Sequence, residues 1–393
     1  MAAKKKKKGS IKGKKGKHRR VIAVFALTGF ILLSVLSYLF YAGGKIEVPA
    51  YEKAFSHSSE LELAIGAIDR AIYKALYQGK ISEGNVLFLS VKPRRKGGNE
   101  WDFTELLIKF PKKEPAIQFD VLLQAGLNRL GPKVRYETKT GSEGGIEGMI
   151  SALGFFTHRL KLTEDGSRRP LPQRLPKVSI IIDDLGYDFK TAKALINLDL
   201  PLTLSLLPLA PYRENIVKAA VKKGSELMLH LPMEPRDYPR LNPGPGALFS
   251  KMDDEEIRNL MGEHLNRIPG VRGVNNHMGS YFTERRDKMR IVLEEIRKRG
   301  LFFVDSRTTS GTIAFDVAES MGIGAGKRSV FLDNDPAPKA VIFQLERLMG
   351  AARHSGSAIG IGHPHRETLR ILKEFQQRLN VEFEMVPVSE LVG

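Results

Sequence analysis

From residue 177 onward the sequence alternates between short apolar runs and helical patterns, and this alternation most constrains the fold. The helical patterns usually end in Gly or Pro. Strands that alternate with helices pair in parallel through βαβ units. About seven such units in residues 177–393 favour a closed or nearly closed β/α barrel, and a doubly wound open sheet is the alternative. The predicted strands are 178–182, 202–207, 227–231, 271–275, 301–304, 357–361 and 381–386.

One helix of this region shows clear boundaries. Asp253 is the predicted N-cap, and three acidic residues follow in the first turn, where they complement the positive end of the helix dipole. Pro269 and Gly270 come after the predicted end of the helix.

Residues 45–162 differ in pattern and predict a small α+β domain. Ser59 and Glu62 resemble a capping box, and apolar residues then recur every three or four positions through Leu76. This domain carries no chemical motif, so an envelope-protein partner is one possible role for it. The segment 163–176 is rich in Pro, Arg and Gly without apolar periodicity, and is predicted to be a linker.

The N-terminal region predicts a membrane anchor. Residues 21–42 form an uncharged stretch of 22 residues, about the ~20 that a transmembrane helix needs. A cleavable signal peptide is the alternative, but the stretch is longer than a typical signal core and lacks a clear cleavage site. The basic residues of tail 1–20 favour a cytoplasmic N-terminus and export of the rest. The expected location is a single-pass protein of the bacterial inner membrane with periplasmic C-terminal domains.

Composition excludes two classes of function. Of 62 Lys and Arg, 11 lie in residues 1–20, where there is no acid and no aromatic residue, so the net charge of +18 does not predict nucleic-acid binding. The chain has no Cys, which excludes thiolate metal sites and cysteine nucleophiles.

Polar residues that could take part in catalysis or bind a metal lie at the carboxyl ends of the predicted strands. Barrels and open α/β sheets both place their sites at this edge. An adjacent pair of acids ends the first strand, histidines follow three others, and an Asp-Ser pair ends another. These residues are Asp183, Asp184, His230, His277, Asp305, Ser306, His363 and His365.

Imidazoles and a carboxylate together are the donor set of a divalent metal site that keeps one position open for water. A second carboxylate near that water can act as general base, which would give Asp183 and Asp184 different roles. Alternatively, one Asp caps the next helix and the other forms a salt bridge.

Six strings in order, IIIDDLGYD, LTLSLLP, MLHLPMEP, NNHMGSYFT, FFVDSRTT and GIGHPH, resemble the divergent polysaccharide deacetylases over residues 177–392. The resemblance implies a distorted (β/α) barrel of about seven strands in an exported protein. It also implies metal-dependent hydrolysis of acetyl groups on an envelope polysaccharide or other glycan, with zinc as the expected ion. The alternative is a noncatalytic glycan-binding or envelope-organising protein with a degenerate barrel.

The resemblance also implies roles for individual residues. Asp183 corresponds to the general base and Asp184 to a metal ligand. His230 corresponds to the first metal histidine, and His277 is the preferred third ligand, with Glu234 as the alternative. His363 corresponds to the general acid. Asp305, Ser306, Asn276 and His365 are the remaining candidates for orienting side chains or binding substrate.

Overall fold

The computed structural model describes residues 60–81, 85–97, 99–141, 145–164 and 174–392, which all belong to one compact unit. The basic tail at 1–20, the predicted membrane anchor at 21–42 and the predicted cap residue Ser59 lie outside the described residues. Within the described ranges, no helix is both long and apolar enough to cross a membrane.

Residues 60–164 contain two helices and a five-stranded sheet, which we call the small sheet. Its strand order is β1-β2-β5-β4-β3, with β2 and β5 parallel and the other pairs antiparallel. Ile68 and Ile72 of the first helix are fully buried against the sheet, as the helical periodicity predicts. The elements are α1 (Glu60–Gln78), β1 (Val86–Lys96), β2 (Asn99–Phe110), α2 (Lys113–Asn128), β3 (Val134–Thr140), β4 (Ile146–Ala152) and β5 (Phe155–Glu164).

Residues 177–385 contain a curled parallel sheet surrounded by helices, as the alternating pattern predicts. Asp253 caps its helix with a complete capping box that includes Glu256, which confirms the predicted boundary. The strands are β6 (Lys177–Leu185), β7 (Thr203–Leu206), β8 (Leu227–Met233), β9 (Gly273–Met278), β10 (Phe302–Asp305), β11 (Ala325–Lys327), β12 (Val330–Phe331), β13 (Ser357–Gly362) and β14 (Glu384–Met385). The helices are α3 (Phe189–Ile196), α4 (Arg213–Lys223), α5 (Asp254–Arg267), α6 (Arg286–Lys298), α7 (Ala314–Ser320), α8 (Pro338–Ser355) and α9 (Arg366–Glu382), with short 3₁₀ turns at Phe282–Glu284 and Val388–Glu390.

The path of the curled sheet has eight strands rather than the predicted seven. Its order is β11-β10-β9-β8-β7-β6-β13-β12, and β14 pairs beside the start of β6, off this path. The predicted strand 381–386 is largely replaced by the end of α9 and the two-residue β14. The sequence prediction lacks β11 and β12, because strands of three and two residues are too short to show a periodic pattern.

The two ends of this path are joined by only two residues, Arg328 and Ser329, which we call the seam. The Arg328 N–H donates to the Asp305 carbonyl at the end of β10, and the Ser329 N–H donates to the Ile359 carbonyl of β13. Three Cα steps span at most roughly 11 Å, so the two edges of the sheet must lie close together. The sheet is therefore rolled around its axis, and a single chain segment crosses the gap.

The small sheet packs on α8, one of the helices that surround the curled sheet. The ring of Phe343 meets Phe88 edge-on at 5.0 Å between centroids. The Arg347 guanidinium pairs with the carboxylates of Asp69 at 3.0 Å and Asp102 at 3.4 Å. Because these charges are largely shielded from water, removing one partner would leave the others uncompensated, so the pairs tie α1 and β2 to α8.

Gly350 lies where α8 approaches Phe88 most closely, and we expect Gly350→Ala to destabilise the protein. A Cβ at position 350 would lie 2.2 Å from the Phe88 Cβ and 2.8 Å from its carbonyl oxygen. Overpacking of this kind costs about 1–3 kcal/mol, more than the ~0.5–1 kcal/mol that Ala gains over Gly inside a helix. Urea denaturation of the full-length protein measures the difference in the free energy of unfolding.

Gly262→Ala in α5 is the matched control, because a Cβ there would have its nearest neighbour, the Arg299 Nη2, at 3.7 Å. This substitution should raise the free energy of unfolding by about 0.5–1 kcal/mol. A Gly350→Ala protein as stable as Gly262→Ala would show that the small sheet does not pack on α8 as closely as described.

Candidate active site

The side chains at the carboxyl ends of the parallel strands continue the inward-facing rows of the barrel. Ile181, Met228 and Ile361 belong to its buried apolar interior, and Asp183, His230 and His363 each follow one of them by two positions. Because side chains alternate between the two faces of a strand, these polar residues point to the same interior. The apolar interior therefore ends in a polar group at one mouth of the barrel.

A β-bulge in β6 places both adjacent aspartates near this interior. The register between β6 and β7 shifts between Ile182 and Leu185, and Asp184 has a left-handed backbone with φ of +55°. A bulge redirects one side chain that would otherwise point to the opposite face. As a result, the nearest ring nitrogens of His230 lie 3.7 Å from Asp183 and 3.0 Å from Asp184.

Three ligand atoms converge at this point. The Asp184 Oδ1 lies 3.0 Å from the His230 Nε2 and 2.8 Å from the His277 Nδ1, and the two nitrogens are 3.2 Å apart. A tetrahedral ion with bonds of about 2.0–2.2 Å holds its ligand atoms roughly 3.3 Å from one another. Asp184, His230 and His277 therefore have the spacing and chemistry to hold a divalent cation.

The pKa values of the two aspartates shift in opposite directions. Burial alone would raise the pKa of Asp184, but His277 and His230 hold it well below its usual value. Burial raises the pKa of Asp183, against the opposing effect of His230. The two neighbouring carboxyls are thus electrostatically distinct.

The side chain of Asn275 links Asp183 to His230. Its amide nitrogen donates to both carboxylate oxygens of Asp183, at 2.8 and 3.0 Å, and to the Ser306 Oγ at 3.2 Å. Its amide oxygen lies 2.9 Å from the His230 Nδ1 and accepts from the Ser205 Oγ at 2.6 Å. A carbonyl acceptor on Nδ1 keeps the proton on that nitrogen and leaves the His230 Nε2 available to a metal.

Glu234, the alternative third ligand, does not join the group. Its carboxylate accepts a hydrogen bond from the Ser250 N–H at 2.7 Å, and its backbone carbonyl accepts from Tyr281 and Phe282. Glu234 therefore braces the loops that follow β8 and β9. The geometry favours His277 over Glu234.

Neither Asp183 nor Asp184 caps the following helix. Asp188 has that role, since its carboxylate accepts from the Thr191 N–H at 3.1 Å at the start of α3. The alternative interpretation, in which one of the paired aspartates is a cap, is wrong.

His363 lies at the end of β13 and is held by Asp333. The Asp333 carboxylate contacts the His363 Nδ1 at 2.8 Å and accepts from the His363 N–H at 2.7 Å and the Thr368 Oγ1 at 2.6 Å. The His363 Nε2 lies 4.0 Å from the Asp184 Oδ2. Burial lowers the pKa of His363, but Asp333 and Asp184 together raise it to about 9.

His365 lies beside His363, with 5.8 Å between ring centroids, and begins α9. Ligand atoms of Asp333, His363 and His365 approach one another within 4.8 Å, so this is a second group with metal-ligating chemistry. In the Asp184 group all three ligand atoms lie within 3.2 Å of one another and Asn275 sets the His230 tautomer, so this group is the better candidate cation site.

Two of the predicted orienting residues face away from the metal-ligating group. The Asn276 amide donates to the Met278 carbonyl and accepts from the Ser306 N–H, and it braces the strand ends. The Asp305 carboxylate accepts from the Thr312 Oγ1 and from two backbone N–H groups, which organises the loop before α7. Ser306 is the member of the predicted set that contacts Asn275.

Sequence reasoning missed Asn275 and Asp333. The two-residue period of a strand could have identified Asn275, because it shares a face with His277. Asp333 follows β12, a strand of two residues, so no pattern marks it as a strand end.

Comparison with known proteins agrees with this fold. The family described as divergent polysaccharide deacetylase matches residues 180–392, and the chain belongs to this family. The uncharacterized protein YibQ of Escherichia coli K12 is 32% identical over 217 residues, 55% of this chain and 67% of that protein. An uncharacterized protein of Haemophilus influenzae is 29% identical over 215 residues, 55% of this chain and 76% of that protein. The crystal structure of an uncharacterized protein from Agrobacterium tumefaciens C58 is 26% identical with a TM-score of 0.54, and the match covers 57% of this chain and 92% of that one.

We expect His277→Ala to lower the affinity of the full-length protein for Zn²⁺ by more than roughly 100-fold. Loss of a direct ligand should exceed the about 10–100-fold cost of losing an outer hydrogen-bond partner of a ligand. Glu234→Ala should change the affinity little, since that carboxylate bonds to a loop N–H. Competition with a chromophoric chelator measures the dissociation constants.

The exposed His354, which belongs to neither metal-ligating group, provides the control His354→Ala and should bind Zn²⁺ as the unmodified protein does. If Glu234→Ala lost the metal while His277→Ala retained it, the third ligand would be Glu234. If neither changed the affinity, the assignment of the metal group would be wrong.

Proposed function

We propose that this chain is a metal-dependent hydrolase that removes acetyl groups from an envelope polysaccharide or glycan. The observation that carries this proposal is the division of roles between the paired aspartates. Asp184 lies within the metal-ligating group, whereas Asp183 is held beside it by Asn275. A site that only bound sugar would not need a buried carboxylate fixed next to a set of metal ligands.

Asp184, His230 and His277 would hold the cation. A divalent ion bound there would act as a Lewis acid toward the acetyl carbonyl and toward the attacking water. Zinc suits two imidazoles and one carboxylate. The membership of this chain in the divergent polysaccharide deacetylase family supports an acetylated carbohydrate as the substrate.

The protein side chains then have distinct parts in the hydrolysis. Asp183 takes a proton from the attacking water while the water oxygen bonds to the acetyl carbon. His363 donates a proton through Nε2 to the leaving nitrogen, or to the leaving oxygen of an ester, as the bond to the acetyl carbon breaks. The products are acetate and the free amine or hydroxyl of the sugar. Asp333 holds the opposite ring nitrogen and so directs Nε2 of His363 toward Asp184.

We expect Asp183→Asn to lower the rate of acetate release by about 10²–10⁴-fold while the protein keeps its metal. The substitution preserves shape and one of the two hydrogen bonds from Asn275, but removes the proton acceptor. Asp184→Asn should remove metal and activity together. The measurement is acetate release from acetylated oligosaccharides, paired with the metal content of each purified variant.

The same experiment tests the noncatalytic alternative. If the unmodified protein bound glycan but released no acetate with any tested divalent ion, and Asp183→Asn bound equally well, the chain would be a glycan-binding protein. Family and fold would be unaffected by that result.

We also propose that residues 21–42 anchor the chain in the inner membrane and that its remaining domains are periplasmic. The 22-residue uncharged stretch and the basic tail before it support this orientation. Alkaline phosphatase fused after residue 393 should be active in cells, because it folds only outside the cytoplasm, and the mature protein should retain its basic tail. A silent fusion, or a mature chain that begins near residue 43, would contradict the anchor.

A further inference from the structure

A cleft of about 690 Å³ lies between the small sheet and the curled sheet. Residues of α1 and β2 form one wall. The other wall is formed by the seam, by the loop that follows β12, and by α8. Its volume lies within the roughly 300–1,000 Å³ of ordinary ligand pockets. The cleft is partly open to solvent, so a ligand could enter it.

The wall formed by the curled sheet is continuous with the candidate active site. The ring of Phe331 stacks on the ring of His363, with centroids 5.9 Å apart and planes at 22°. The Arg328 Nε donates to the Ser306 carbonyl at 2.7 Å, and the Ser306 Oγ accepts from Asn275. Arg307 and Asn334 line the cleft and directly follow Ser306 and Asp333 in the chain, so the cleft lies beside the candidate active site.

The charges lining the cleft are balanced. Four arginines and four carboxylates contribute to its walls, and Arg347 pairs with two of those carboxylates, Asp69 and Asp102. A neutral lining rich in donors and acceptors matches an uncharged, hydroxyl-rich molecule better than a polyanion, which needs an excess of cationic groups. Aromatic side chains, among them Trp101 and Phe331, supply apolar surface beside these polar groups.

We propose that this cleft binds further sugar units of a neutral N-acetylated glycan whose acetyl group lies at the metal-ligating group. The inference rests on the proposed function, because it takes the occupant of the cleft and the substrate to be one chain. It assigns a role to the region of the small sheet, residues 60–164, because α1 and β2 complete the binding surface. The protein should consequently prefer an oligosaccharide to a single sugar.

The test compares the binding of N-acetylglucosamine and its β-linked hexasaccharide to the full-length protein by calorimetry. Gly66 lines the cleft, and a Cβ there would have its nearest neighbour, the Arg70 Nη1, at 3.6 Å, so Gly66→Trp can fill the cleft from α1. The exposed Lys74 lies on the same helix outside the cleft, and Lys74→Trp is the matched control. Arg70→Ala, at an exposed residue of the cleft wall, provides a second variant if Gly66→Trp does not fold.

The unmodified protein and Lys74→Trp should bind the hexasaccharide at least roughly tenfold more tightly than the single sugar. Gly66→Trp, and to a smaller degree Arg70→Ala, should lose this preference while keeping their metal. Equal affinity of the unmodified protein for the two sugars, or full hexasaccharide affinity in both cleft variants, would overturn the proposal. Length-dependent binding without acetate release would instead contradict the proposed hydrolysis and leave the cleft assignment intact.

Discussion

The hydrogen bonds of Asn275 hold together the strand ends on which the candidate site depends. One amide group contacts Asp183 of β6, Ser205 of β7, His230 of β8 and Ser306 beyond β10. Both amide hydrogens and both lone pairs of the oxygen are used, so no polar atom of this buried side chain is left unsatisfied. A carboxylate at this position would repel Asp183, and an apolar side chain would leave four neighbours without their partner.

This arrangement also explains how a neutral side chain can organise a charged site. The amide donates to Asp183 and accepts from the ring of His230, so it sets the orientation of two groups for which we propose different roles. A cationic side chain in its place could hold Asp183 but could not accept a hydrogen bond from the His230 Nδ1. The position therefore requires a group that both donates and accepts.

Much of this organisation could be predicted from sequence because it follows from periodicity. The strand pattern placed Asp184, His230 and His277 at one edge of a parallel sheet, and the structure brings their ligand atoms within 3.2 Å of one another. The sequence analysis named Asn276, whereas Asn275 contacts Asp183 and His230; a difference of one residue in a strand reverses the face to which the side chain points. The bulge that directs Asp184 inward depends on pairing with β7, and such pairing has no local sequence pattern.

The packing of the small sheet on α8 was not predictable either. It includes the partly buried ion pairs of Arg347 with Asp69 and Asp102, which are separated from it by more than two hundred positions in the chain. Burial raises and Arg347 lowers the pKa of Asp69, and the net direction is downward, as expected for a carboxylate paired within the protein. Such pairs fix orientation more than they add stability, because their desolvation offsets much of the Coulomb attraction.

The seam at Arg328 and Ser329 limits where a sequence with this fold can accept insertions and deletions. It connects the strand beside Ser306 to the strand that precedes Asp333, so its two residues set the spacing between the Asn275 network and the His363 pair. An insertion here would alter the distance between His363 and the Asp184 group although every residue of the candidate site was retained. Loops at the opposite, amino-terminal ends of the strands have no such link, so insertions and deletions should accumulate there and be rare at the seam.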